Sequence, residues 1–239
     1  DNGITWEIFE GQSIRENYCL GASQSNHHRT IAGSQDNGTS IKTENSWVEF
    51  YGADGMEGII HPLNDDWMIG SLQFGGKRRT KDGGYSQSGV NPQGFDGDWI
   101  TPLFYDPNNQ MSIYTMTNIL YRSDDFGSTW TTLGDSGFSD NIKKAAIAEN
   151  NSNTLAISRN STLKISSDGG LTFTEVSQAL PNQTITDIAF DPNDDNTIVV
   201  TYGSYGNNNQ KVYLSHDQGL TWENITHNLG NMPIRSVVI

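Results

Sequence analysis

Apolar residues along this chain fall in short alternating runs broken by Pro, Asn, Asp and Gly, and no segment sustains the 3.6-residue apolar period of an amphipathic helix. Four segments share a sub-pattern: "GIIHPLNDDWMIG", "PLFYDPNNQMSIY", "AAIAENNSNTLAI" and "DIAFDPNDDNTIVV". In each, an apolar run meets a polar turn and resumes as a β-branched or alternating run, the pattern of a strand, a turn and a strand. Pro62, Pro107 and Pro192 mark equivalent turns.

Between these pairs a second phrase recurs: "SDDFGSTW" at 123–130, "SSDGGLTF" at 166–173 and "SHDQGLTW" at 215–222, with a looser copy, "TKDGGYS", at 80–86. Asp82, Asp125, Asp168 and Asp217 hold its third position. Gly127, Gly170 and Gly219 can take the positive φ of a tight turn, and the aspartates can accept hydrogen bonds from amides of their own loop. Trp130, Phe173 and Trp222 then open the next strand, each with a ring to bury. Thr43-Glu44-Asn45 near Trp47 reads as an eroded copy, and the opening "DNGITW", with Asp1, as a truncated one. A strand pair plus two strands flanking the phrase makes four strands in about 43 residues, repeated in tandem. That predicts an all-β protein: a β-propeller of four-stranded antiparallel blades, about five of them here. The chain opens inside one repeat and stops at "IRSVVI", where another unit is due. Residues 1–239 are therefore expected to be one propeller fragment that starts and ends within the propeller, with the remainder of a larger polypeptide as a partner.

Charge narrows the partners. Fourteen basic against 28 acidic residues leave a net charge of −14, which disfavours nucleic acid and anionic lipid. No apolar run reaches the length of a membrane-spanning helix. Cys19 is the single cysteine, so intrachain disulfides and cysteine-based zinc clusters are excluded, and it reads as a small core residue.

The phrases resemble the Asp-box, or BNR repeat, of sialidases, of glycoside hydrolase family 74 xyloglucan hydrolases, of sortilin-type receptors and of secreted bacterial propellers. That resemblance implies a structural role for Asp1, Asp82, Asp125, Asp168 and Asp217 and for their glycines and aromatic partners. "GSQDNGT", "GADGMEG" and "HPLNDD" are similar to secreted propellers of Gram-negative bacteria, implying a secreted or outer-surface location and export by the type IX route. Against a sialidase, "IRE" and "IRS" lack the proline of an Arg-Ile-Pro motif. "RRTKDGGYS" is only a displaced echo of the family 74 "RTDVGGAYR" stretch around Asp82.

With strands A to D in each blade, A–B and C–D turns share the lower face, while B–C loops and D–A connections emerge on the upper face. The carboxylates there are Asp36, Asp54, Glu57, Asp96 and Asp98, the catalytic candidates, as paired carboxylates serve glycoside hydrolysis. Gln35, Tyr51, Phe74, Trp99, Tyr202 and Tyr205 are the ligand-binding candidates. No cofactor is expected, though hard oxygens also suit calcium. "QDNG" and "DGDW" equally well encode plain turns. Lys77, Arg78 and Arg79 read as a salt-bridged blade edge or an anion site. Two functions remain open: a non-catalytic module binding a glycan or a protein, and a family 74-type glycoside hydrolase.

Overall fold

The computed structural model describes residue 5 and residues 15–206 and 209–239. Five four-stranded antiparallel meanders follow one another, and the described residues hold no helix beyond a 3-10 turn at Gln73–Gly75. Blade 1 contains β1 (Asn17–Ala22), β2 (Thr30–Ser34), β3 (Gly38–Lys42) and β4 (Trp47–Tyr51). Blade 2 has β5 (Gly55–Ile60), β6 (Met68–Leu72), β7 (Lys77–Thr80) and β8 (Ser88–Gly89), and blade 3 has β9 (Leu103–Asp106), β10 (Asn109–Met116), β11 (Ile119–Ser123) and β12 (Thr131–Asp135). Blade 4 has β13 (Lys144–Ala148), β14 (Asn151–Arg159), β15 (Thr162–Ser166) and β16 (Thr174–Glu175). Blade 5 has β17 (Ile185–Asp191), β18 (Asp194–Tyr202), β19 (Val212–Ser215) and β20 (Glu223–Asn224). The sheets stay separate and do not close into one barrel.

First strands of successive blades pack together, β1 on β5, β5 on β9 and β13 on β17, and so gather around a common axis. Two glycines let the first pair touch through backbone: a Cβ on Gly21 would collide with the Gly58 carbonyl. Further out, apolar side chains alternate into the gaps between blades. Ile31, Ile41 and Phe50 meet Ile60 and Met68; Ile59 and Ile69 meet Leu103, Ile113 and Phe126. Tyr114, Met116 and Leu120 meet Leu155 and Ile157, and Ala156, Leu163 and Ile165 meet Ile188, Ile198 and Val200. Each core is thus half one blade and half the next.

The repeated phrase closes the turn between the third and fourth strands in four blades with one bond set. Asp168 accepts from Ser166 Oγ (2.8 Å), Thr172 N–H (2.9 Å) and Thr172 Oγ1 (2.6 Å), while Gly170, at φ 86°, donates its N–H to Ser166 Oγ (2.8 Å). Asp125 and Asp217 repeat this with Ser123 and Thr129 and with Ser215 and Thr221. Asp82 does so with Thr80 and Ser86. Donors from Thr172 and Ser166 hold the Asp168 carboxyl down to about 2, and donors from Ser86 and Thr80 do the same for Asp82. In blade 1 the eroded copy closes without a carboxylate, through Thr43 N–H to Ser46 O (2.8 Å). The first copy, with Asp1, lies outside the described residues.

The residue five places after the box aspartate reaches back to the preceding blade. Trp130 Nε1–H donates to Val90 O (2.7 Å) and Trp222 Nε1–H to Val176 O (2.9 Å). The looser copy has Gln87 at this position, and its Nε2–H donates to Phe50 O (3.1 Å), keeping the bond without the ring. Phe173 has no polar hydrogen; it packs on the blade 3 core, and the Gly134 N–H donates to Gly170 O (2.9 Å) instead.

The two ends sort as expected. At the lower end, box amides meet the A–B hairpins: Gly83 N–H to Asp66 O, Phe126 N–H to Met111 O, Gly169 N–H to Asn153 O and Gln218 N–H to Asn196 O. At the upper end, strand entries meet the B–C loop of the blade before: Ile142 N–H to Thr117 O, Ile185 N–H to Asn160 O and Ile234 N–H to Tyr202 O. Three expectations need correction. Glu57 lies within β5 rather than in a loop. Cys19 is half-buried on β1 and outside the core clusters. Lys77 and Arg79 bond to carbonyl and hydroxyl oxygens rather than carboxylates: Lys77 Nζ to Gly75 O (2.7 Å), and Arg79 Nη1 to Phe126 O (2.9 Å) and Ser128 Oγ (2.6 Å).

Replacing Trp130 by Phe removes a hydrogen bond and strands the Val90 carbonyl, so W130F should lose about 1 kcal/mol in urea unfolding with unchanged slope. The box carboxyls are depressed, so their contribution is intact above the ordinary aspartate value and is lost as pH falls through about 2. Stability should decline between about pH 4 and pH 2, and Asp168→Asn should lower stability at neutral pH while flattening that decline.

Candidate ligand-binding site

The upper end of the axis opens into a cavity of about 510 Å³ where strand entries of several blades converge. Blade 3 contributes Leu103 and Phe104 together with Asp98, Trp99 and Pro102 from the connection before β9; blade 4 contributes Lys143, Lys144 and Ala145. Blade 5 adds Thr186 and Asp187, the segment beyond it adds Arg235, and β5 adds Glu57.

Of the five candidate carboxylates the cavity brings together two, Glu57 and Asp98. Asp98 is engaged twice: Oδ1 accepts the Trp99 N–H (2.6 Å) and Oδ2 pairs with Lys143 Nζ (2.5 Å). Glu57 is held differently. Burial holds its carboxyl above the ordinary range, while the Cys19 thiol and the Lys144 ammonium act the other way. Burial pushes the Cys19 thiol up to about 12, with Glu57 adding to the effect, so Cys19 is a protonated neighbour of Glu57 rather than a nucleophile. A carboxyl in a cavity can, in its protonated form, which burial favours here, donate a hydrogen bond or a proton to a ligand oxygen.

The other three carboxylates stand apart. Asp54 Oδ1 accepts the Asp36 N–H (2.7 Å), and Asp36 sits at φ 56° in the β2–β3 turn, so this pair shapes two adjoining upper loops. Asp96 is exposed and does not line the cavity; its carbonyl takes a hydrogen bond from Asn141 Nδ2 (3.3 Å). Among the described residues no group of three or more His, Cys, Asp or Glu side chains is placed to hold a metal ion.

The aromatic candidates divide as well. Trp99 lines the cavity, and Phe74, at φ 61° in the 3-10 turn, meets it edge-on with ring centroids 5.5 Å apart. Both remain partly open to solvent, at 41% and 52%. Tyr51 (9% exposed) and Tyr202 (0%) fill the cores of blades 1–2 and 4–5 and present no ring to the upper face. Tyr205 is an exposed loop residue outside the cavity, and Gln35 is held in the β2–β3 turn, its N–H donating to Glu16 O.

Two buried lysines build the upper loops. Lys77 and Lys211 stand at equivalent positions, entering the third strands of blades 2 and 5. Lys77 Nζ donates to Gly75 O and lies 3.7 Å from the Phe95 ring centroid; Lys211 Nζ donates to Ser204 O and to Gly206 O (2.9 Å). Burial brings the Lys77 ammonium down to about 7.

Lys143, Lys144, Thr186, Asp187 and Arg235 were not among the sequence candidates. Their signal is present in "NIKK", "TITD" and "PIRS": Ile142, Ile185 and Ile234 recur at the same offsets as Asp125, Asp168 and Asp217. Each isoleucine donates the same upper-end amide bond, and the residue after it faces the cavity.

Residues 118–236 match the Sortilin-Vps10 family model, described as sortilin, neurotensin receptor 3. Among solved structures, an ancestral GH74 enzyme superposes with a TM-score of 0.73 at 19% identity, over 91% of this chain and 32% of that one. The GH74 enzyme of Niastella koreensis gives 0.64 at 19% identity, over 87% and 38%. YCF48 from Cyanidioschyzon merolae gives 0.57 at 13% identity, over 87% and 84%. The chain thus spans about a third of the length of these GH74 structures. No curated protein matches the sequence.

Because the folded Glu57 holds its proton more tightly than the unfolded chain, its contribution is present below the ordinary carboxyl value of 4.5 and is lost as pH rises through the elevated one. Glu57→Gln should remove this loss, giving a variant whose urea midpoint exceeds that of the wild type at neutral pH and converges with it near pH 4.

Proposed function

Taking the chain as a sortilin-like and GH74-like Asp-box β-propeller, we propose that it is a secreted or cell-surface binding module, with a glycan docking at the mouth of the axial cavity. One observation carries this reading: Trp99, braced edge-on by Phe74 and open to solvent, forms a wall of a cavity large enough for one or two sugar rings, beside polar groups that can fix hydroxyls. The carboxylates support binding over turnover, since Asp98 is spent on Trp99 N–H and Lys143, and Asp54 on the Asp36 amide. A protein segment is the alternative occupant; one structural neighbour is YCF48 bound to D1 peptide. Placement outside the cell, on the surface of a Gram-negative bacterium and by type IX export, is part of the proposal and rests on the first-blade motifs.

A second reading is favoured by Glu57. A carboxyl whose hold on its proton burial strengthens, in the same cavity as a second carboxylate, has the form of a general acid, and a structural neighbour is the GH74 xyloglucanase of Xanthomonas campestris.

An oligosaccharide panel read by calorimetry, alongside reducing-end release, separates the two. For the binding module, at least one glycan binds without hydrolysis and Trp99→Ala weakens it about 10-fold or more. Turnover that disappears in Glu57→Gln would instead establish the hydrolase. Absence of both binding and turnover would reject the cavity as a glycan site.

A further inference from the structure

We infer that the cavity mouth selects acidic glycans, with Lys144 and Arg235 receiving a sugar carboxylate while Trp99 stacks on a ring. This rests on the binding reading above and names its ligand class.

The chain carries a net charge of −14 and only 14 lysines and arginines, yet three of the 14 line one cavity. Lys143 is neutralised by Asp98. Among the described residues the side chains of Lys144 and Arg235 make no hydrogen bond or ion pair, and both residues are exposed. Their placement follows from the fold. Lys143-Lys144, Thr186-Asp187 and Arg235-Ser236 each follow the isoleucine that makes the upper-end amide bond, so they stand at the same level of the axis on consecutive repeats.

The carboxylates of the cavity do not cancel these cations. Asp98 is consumed as described, and Asp187 Oδ2 accepts from Ser236 Oγ (2.9 Å) and Val237 N–H (3.0 Å). Glu57 faces Cys19, and the Lys144 ammonium acts on it through space without an ion pair. Lys144 and Arg235 are therefore the cations of the mouth that no carboxylate bonds, on a chain that is strongly anionic as a whole. An acidic chain gains from local cations only at close range, because beyond about 10 Å salt screens both the attraction and the general repulsion. Recognition of a carboxylate seated at the mouth fits that range. A neutral sugar would leave Lys144 and Arg235 without a bonded anion.

The test titrates the full chain with a galacturonate tetrasaccharide and with a neutral glucan tetrasaccharide, comparing wild type, Lys144→Met, Arg235→Met and Trp99→Ala. Matched urea midpoints would establish that the variants fold. The acidic ligand should bind about 10-fold or more tightly than the neutral one, and each cation variant should lose about 10-fold for the acidic ligand alone. Rising salt should weaken only that complex, and Trp99→Ala should weaken both. Equal affinity for the two ligands, dependent on Trp99 and indifferent to Lys144 and Arg235, would overturn acid selection and leave the binding module standing. Binding of neither would overturn both.

Discussion

The hydrogen bonds that a box aspartate accepts from a serine or threonine before it and from one after it set the geometry on which the blades depend. They close the third hairpin so that the next residue in register, Trp130, Phe173, Trp222 or Gln87, is delivered to the flank of the neighbouring blade. Three of these four donate directly to a carbonyl there, at Phe50, Val90 or Val176. Because each apolar core is shared between two blades, the spacing that this contact enforces also determines whether the cores fill. Gly170 takes part through its positive φ, which a side chain would strain.

Rigidity at one end is matched by chemical variety at the other. The upper connections are anchored by backbone amides of Ile142, Ile185 and Ile234 and by the buried ammonium groups of Lys77 and Lys211, which hold loop carbonyls in place. These anchors use main-chain atoms of the loops they support. The residues facing the axis are then free to differ from blade to blade, and they do: two lysines in blade 4, threonine and aspartate in blade 5, arginine beyond it. A fold of this kind is shared by unrelated activities, so residues that vary from blade to blade are where differences in chemistry can arise.

Most of the architecture was legible in the chain because the repeat states its own period. Strand pairs, box turns and the sorting of loops to two ends follow from the spacing of Asp82, Asp125, Asp168 and Asp217. Part of the site was legible too: Trp99, Asp98, Phe74 and Glu57 come together at the cavity or its rim. Other residues misled because a repeat gives height along the axis more readily than depth within a blade. Tyr51 and Tyr202 lie at the expected end, yet their rings turn into cores between blades. Lys143, Lys144 and Arg235 were not legible as site residues because they sit just after the isoleucine of each upper-end amide bond rather than in the long loops. Lys77 illustrates the limit of charge as a guide: a cation next to two arginines proved to be a buried brace for a carbonyl.

The direction of the clamp has a consequence for biogenesis. Among the described residues, the ring or amide that reaches each of blades 1 to 4 belongs to the following repeat: Gln87 secures blade 1, Trp130 blade 2, Phe173 blade 3 and Trp222 blade 4. As the polypeptide emerges from its N-terminal end, a newly made blade lacks its lock until the next has grown as far as its own third hairpin. Each blade's contacts are thus complete only once the repeat after it has been made, so the order of the repeats along the chain gives their mutual support a direction.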